Sequence, residues 1–175
     1  MKTRRNQGFT LIELVVVIIV ISTLGAVLLD RMWSYQEAAE KAAMEQLAGT
    51  LRSALHFQIA DRLLNGKAAD MAELARDNPM DWLAEPPANY VGDRFAPKIG
   101  TVSRGSWYFD LKDRHLVYLV SRGEHFVPNQ QGRKEVRYVV RLIFTQNKAK
   151  ADAKSADIQF VNGVILALVQ PYTWF

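Results

Sequence analysis

Hydrophobic and polar positions divide the chain into three regions with different periods. From Phe9 to Leu29 the residues are overwhelmingly apolar; Glu13 is the one charge, and none follows from Leu14 to Leu29. A helix of that length rises about 30 Å, close to the thickness of a bilayer hydrocarbon core. The run therefore predicts a membrane-spanning helix. From Asp30 to Leu64 the pattern turns helical and amphipathic, with no proline and only Gly49 as a poor helix former. Leu47, Leu51, Leu55, Ile59 and Leu63 recur every four residues, with Ala54 beside them, and predict one buried face. Trp33, Tyr35, Ala39, Ala42 and Ala43 continue a weaker apolar surface toward the span. Asn65-Gly66 is a helix stop. One continuous helix from Phe9 to about Leu64 is the expectation; two helices broken near Asp30 are the alternative.

Beyond Gly66 the period shortens. Ala68 to Arg76 predicts a short helix. Asn78-Pro79 is a second helix start, with Asn as cap and Pro at the first position, and Met80 to Ala84 adds a turn. Glu85 to Thr101 reads as an extended connector, and Trp82 and Tyr90 pack on the domain or, less favoured, contact a neighbour. Strands are expected at Ser106–Asp110 and His115–Val120, joined by a turn at Leu111–Arg114, and at Val136–Thr145. Ser121 to Arg133 is mostly loop, and Gln146 to Ala156 is a polar, Lys- and Ala-rich loop. Ile158–Val161 and Val164–Gln170 supply one or two further strands. Asn162-Gly163 between them signals a two-residue hairpin. The last residues, Pro171 to Phe175, are apolar for a free tail.

A helix with one apolar face and a sheet with one uncovered face satisfy each other by packing together. The expected fold is α+β: a long N-terminal helix laid on an antiparallel sheet of four to five strands. The expected divisions are a leader over residues 1–8, a membrane helix over 9–29, the outer half of the long helix over 30–64, a connector over 65–104 and a sheet domain over 105–175.

Charge sharpens the N-terminal reading. Lys2, Arg4 and Arg5 account for three units of the formal net charge of +4 of this 175-residue chain. Their position places the N-terminus in the cytoplasm and the remainder across the membrane. Without them the balance is nearly neutral, and no nucleic-acid partner is expected. The chain has no cysteine, so no disulfide can staple the domain. A charge inside a membrane run is a functional feature by default. Glu13 lies one helical turn after Phe9. Cleavage between Gly8 and Phe9 would leave Phe9 with a new amine, which Glu13 could neutralise on its own chain or on a neighbour; hydration of Glu13 at headgroup level is the plainer alternative.

Gly8-Phe9-Thr10-Leu11-Ile12-Glu13, after a short basic leader and before an apolar helix, resembles the class III signal of type IV pilins and type II secretion pseudopilins. The resemblance is sharpest over residues 1–30. It implies a pilin-like fold, cleavage after Gly8 by a prepilin peptidase, methylation of the new N-terminal Phe9, and a role in assembly for Glu13. It also implies an inner-membrane, single-pass precursor with other pilin or pseudopilin subunits, an inner-membrane assembly platform and lipid as partners. Ser22 and Asp30 stand where many members carry a glycine and a proline, and Gly25 is the only glycine of the run; the disulfide common in pilins is absent. These departures point to a minor subunit. Gly105–Asp110 and His115–Val120, after Pro86-Pro87-Ala88-Asn89-Tyr90, resemble minor pilins of the mannose-sensitive haemagglutinin type. The alternatives are a minor pseudopilin of type II secretion and an uncleaved bitopic periplasmic binding or sensor domain.

No catalytic constellation is expected, and no cofactor or metal. His56, His115 and His125 are scattered. Asp110 and Asp113 flank a turn, where Asp serves the backbone. Arg133, Lys134, Arg137 and Arg141 lie near one strand but are interrupted by Glu135, and read as a solvated strand face.

Overall fold

The computed structural model describes residues 9–98, 100–145 and 160–175. The leader, with Gly8, the polar loop at Gln146–Ala156, and Ile158 and Gln159 lie outside the described residues. The chain divides into two compact units, Met1–Ala39 and Glu40–Phe175. Helix α1 spans Leu11–Leu64 as one helical element, without a break at Asp30 or Gly49. Two short 3-10 helices follow, α2 (Ala68–Ala75) and α3 (Pro79–Trp82). Five strands complete the fold: β1 (Tyr90–Arg94), β2 (Trp107–Asp110), β3 (His115–Leu119), β4 (Glu135–Thr145) and β5 (Phe160–Leu168).

The strands form one sheet in the order β1-β2-β3-β4-β5. Three neighbouring pairs are antiparallel meanders, as expected. The β1–β2 pair is parallel, so the sheet is mixed rather than wholly antiparallel. β1 lies in the stretch read as connector. Its pattern hides it: Gly92 adopts φ +82° and the register slips between Tyr90 and Asp93, which breaks the alternation that marks a strand. A parallel neighbour requires the chain to travel back to the same end of the sheet, and residues 95–106 make that return. Asn89 holds its start and finish together, donating from Nδ2 to the Gly105 carbonyl (2.7 Å) and accepting the Trp107 N–H (2.9 Å) at its own carbonyl.

The expected hairpin at Asn162-Gly163 does not form. β5 runs straight through these residues; Ile143 pairs with Gly163 and Phe144 with Val161, leaving Asn162 as an extra residue in the ladder. A bulge absorbs the local turn preference because the long β4 offers continuous pairing on either side. By contrast, the Asn78-Pro79 signal acts as read: the Asn78 side chain accepts the Met80 N–H at 3.0 Å and Pro79 opens α3.

Within the second unit, Met44, Ala48, Leu51 and Leu55 of α1 are buried against the sheet's inner side chains, among them Trp107, Phe109, Leu116, Tyr138 and Leu166. Leu47 and Ile59 flank this face, whereas Leu63 is 54 % exposed. Spacing by four residues advances about 40° beyond each full turn, so a strict every-fourth pattern drifts off the contact line. Met44 and Ala48 continue the face that Leu51 and Leu55 begin. Leu51 and Leu55, almost wholly buried, each contribute roughly 2 kcal/mol of transfer free energy. Met71, Leu74 and Met80 close one end of the core, and Trp82 and Tyr90 pack against it.

Polar contacts pin the same helix segment to distant parts of the unit. The Glu40 carboxylate accepts the Tyr118 hydroxyl (2.9 Å) and the backbone N–H groups of Ser121 (2.6 Å) and Arg122 (2.7 Å). Lys41 Nζ donates to the Trp174 carbonyl (2.9 Å), Tyr172 donates its hydroxyl to Glu45 (2.9 Å), and Arg52 Nε reaches the Leu166 carbonyl (3.4 Å). Trp174 is 2 % exposed, bridges to Phe126 in β fashion and meets its ring edge-on at 5.3 Å. The apolar last residues are thus a clasp, not a free tail.

Candidate functional site

The first turn of α1 explains how an acid sits at the head of an apolar helix. The Thr10 carbonyl accepts the Leu14 N–H (3.2 Å), and the Thr10 Oγ1 accepts the Glu13 N–H (3.3 Å). Thr10 is therefore the N-cap, and Glu13 stands three residues on, at the spacing of a capping box. A carboxylate there also faces the positive end of the helix dipole. The Thr-x-x-Glu spacing was available in the sequence as a helix-start signal. Phe9 precedes the cap and is 78 % exposed. Phe9 and Glu13 thus flank the helix start, while Gly8 lies outside the described residues.

From Leu11 to Leu29 the helix is apolar on every side. Its large side chains are exposed from 40 % at Val17 to 81 % at Leu11. One polar group inside the run is handled locally: the Thr23 hydroxyl bonds back to the carbonyls of Ile19 (3.0 Å) and Val20 (2.9 Å). That arrangement suits a medium without water, where no free partner exists. A helix apolar all round needs an apolar surrounding, and this one is long and apolar enough to cross a membrane. It fits a single-pass membrane protein.

The other sequence candidates do not converge. Among the described residues, no three His, Cys, Asp or Glu side chains are grouped to hold a metal. His56 is exposed on α1, and the His125 ring stacks on Phe175 at 5.0 Å. Asp110 serves the backbone, accepting the N–H groups of Ala96 (3.2 Å) and Lys112 (3.0 Å). The basic residues near β4 are largely occupied. Arg137 donates to Glu135 (2.9 Å) and lies 3.4 Å from Asp113, Arg133 lies 4.0 Å from Glu135, and Lys134 donates to the Gly123 carbonyl. Arg141 is exposed. A groove of about 490 Å³ opens between the Phe126–Gln131 loop and residues 169–173, with Glu135 and Arg137 on its wall.

His115 gives the second unit a pH response. Its Nδ1 is buried and has no hydrogen-bond partner among the described residues. Burial pushes the imidazole below its ordinary value of 6.5, aided by the nearby Arg137 guanidinium; Asp113 and Asp110 act in the opposite sense, and Arg141 lowers it further. The unfolded chain therefore takes up the proton first as pH falls, and the stability present above the unfolded value is lost below about pH 6.5. Asp81 works the other way. Burial, with Asp93 and Asp77, raises its carboxyl above 3.8, so its unfavourable contribution fades as pH falls. The His115→Gln chain in detergent is expected to lose less urea resistance than the unaltered chain between about pH 7.5 and about pH 5.5. Equal losses in the two chains would exclude His115 as the source.

Residues 3–29 match the family model of the prokaryotic N-terminal methylation motif. No curated protein matches the chain, and no solved structure does. The chain carries the class III signal of the type IV pilin and pseudopilin class, and its long helix packed with a five-stranded mixed sheet is a pilin-like α+β arrangement. Proteins with this signal are structural subunits rather than enzymes. The signal implies processing by a prepilin peptidase and assembly with other pilin subunits.

Proposed function

We propose that the chain is a minor subunit of a type IV pilus, made as a membrane precursor and then cleaved, methylated and built into the filament or its priming complex. The carrying observation is an all-round apolar helix, capped by Thr10 with Glu13 in its first turn, directly within the matched methylation motif. In this reading residues 1–8 are the leader, cleavage follows Gly8, and Phe9 becomes the methylated N-terminus. Residues 9–29 cross the inner membrane, and the domain that follows lies in the periplasm. Moving an all-round apolar helix from lipid into a filament core keeps it out of water. Specificity then rests on packing and on polar pairing. Glu13 and the Phe9 amine are the natural pair.

Intact mass and N-terminal identity of the chain from its native membrane test this reading. A methylated Phe9 terminus supports it; a chain still beginning at Met1 overturns it. In this reading the peptidase takes a small residue at position 8, so Gly8→Lys is expected to slow cleavage about tenfold or more while Gly8→Ala is tolerated. Normal mature mass in the Gly8→Lys chain would refute the assignment of Gly8.

A further inference from the structure

Leu11 to Leu29 rises about 28 Å, which fills a hydrocarbon core of about 30 Å. The residues just past that run are not uniformly polar. Met32, Trp33 and Tyr35 are 45 %, 58 % and 69 % exposed, and Arg31 is exposed among them. Trp33 stands four residues beyond Leu29, about 6 Å further along the helix. The polar layer of a bilayer occupies roughly 5–8 Å on each side of the core, so Trp33 falls at that depth and Tyr35, about 9 Å beyond Leu29, at its outer margin. Their positions differ by two residues, about 200° around the helix, so they stand on opposite sides of it.

We propose that Trp33 and Tyr35 form an aromatic belt that seats the carboxyl-terminal end of the span in the lipid headgroup layer. This rests on the membrane reading of residues 9–29. The ring chemistry selects the occupant. Tyr and Trp join a broad apolar surface to one polar group, and that combination suits the boundary between acyl chains and headgroups better than it suits either side alone. Arg31 adds a long apolar stem whose guanidinium can reach lipid phosphates. Slippage inward would bury the polar edges of both rings in hydrocarbon; slippage outward would put their faces in water. The belt therefore fixes the depth of the helix while the subunit waits in the membrane.

The test uses the full chain in phosphatidylcholine vesicles whose lipids carry bromine either near the headgroup or near the end of the acyl chain. Subtracting the emission of the Trp33→Phe chain isolates Trp33 from Trp82, Trp107 and Trp174, and flotation with the vesicles is recorded in parallel. The isolated emission is expected to be blue-shifted from that of tryptophan in water and quenched about twofold more by the shallow bromines than by the deep ones. Floating chains with water-like, unquenched Trp33 emission would overturn the belt and leave the span standing. Blue-shifted emission that neither lipid quenches would place Trp33 against protein and also overturn it. Chains that fail to float would overturn the membrane reading and the belt together.

Discussion

In sheared filaments the Glu13→Ala chain is expected at less than about one-hundredth of the level of the unaltered chain, although both enter the membrane and lose the leader equally. Removing one partner of a charge pair in a low-dielectric surrounding costs about 3–5 kcal/mol, because the other charge is left buried and alone. If Glu13 and the Phe9 amine are that pair, alanine strands the amine at the moment the helix leaves the lipid headgroups for the filament core. Alanine also retains the Thr10 cap, since the bond to Thr10 Oγ1 comes from the residue 13 backbone N–H. Any assembly defect then belongs to the carboxylate rather than to a frayed helix. Glu13→Gln separates charge from hydrogen bonding: it should assemble as poorly as alanine if charge decides. Normal recovery of Glu13→Ala would remove the pairing mechanism; normal recovery of Glu13→Gln alone would show that a hydrogen bond, not the charge, decides.

The second large effect concerns Trp174. Replacing this buried side chain by alanine is expected to destabilise the second unit by about 3–5 kcal/mol. Three losses act together: the apolar burial, the edge-on contact with Phe126 and the packing that holds the Trp174 carbonyl against Lys41. Denaturant unfolding of the full chain in detergent, followed by near-ultraviolet circular dichroism, reports the change. Phe175→Ala is the comparison. That side chain is 56 % exposed, stacking on His125 and lying 5.8 Å from Lys41 Nζ, so its loss should cost about 1 kcal/mol or less. Equal effects at the two positions would show that Trp174 is not the anchor.

Which of these features the sequence announces depends on how locally they are made. α1 is written in composition and period, and the α3 start in two residues, Asn78 and Pro79, whose chemistry acts within one turn. The β2–β3 hairpin and β4 follow from runs of aromatic and β-branched residues. β1 is hidden because Gly92 and a register slip erase its alternation, and its parallel pairing depends on a return path that no local pattern encodes. Asn162-Gly163 shows the converse: a strong turn signal yields to pairing with an 11-residue partner strand and becomes a bulge. The leader motif was legible because its recognition is a short linear string; the Thr10 cap was missed, although the Thr-x-x-Glu spacing carries it. The clasp was not legible. Lys41, Glu45, Phe126, Tyr172 and Trp174 have no spacing in common, and only the folded unit brings them together.

That clasp has a consequence for the order in which the domain is made. The partners that Lys41, Arg52 and Glu45 need lie 133, 114 and 127 residues further along the chain. Contacts of such long range form late, because closing them carries the entropy of ordering everything between. During synthesis, residues 40–55 emerge long before β5 and residues 171–175 exist. The buried face of the helix must therefore wait, uncovered, until β5 and residues 171–175 have been synthesised. This domain closes only once β5 and residues 171–175 have been made, and its vulnerable interval is set by the time between the appearance of Met44 and that of Trp174.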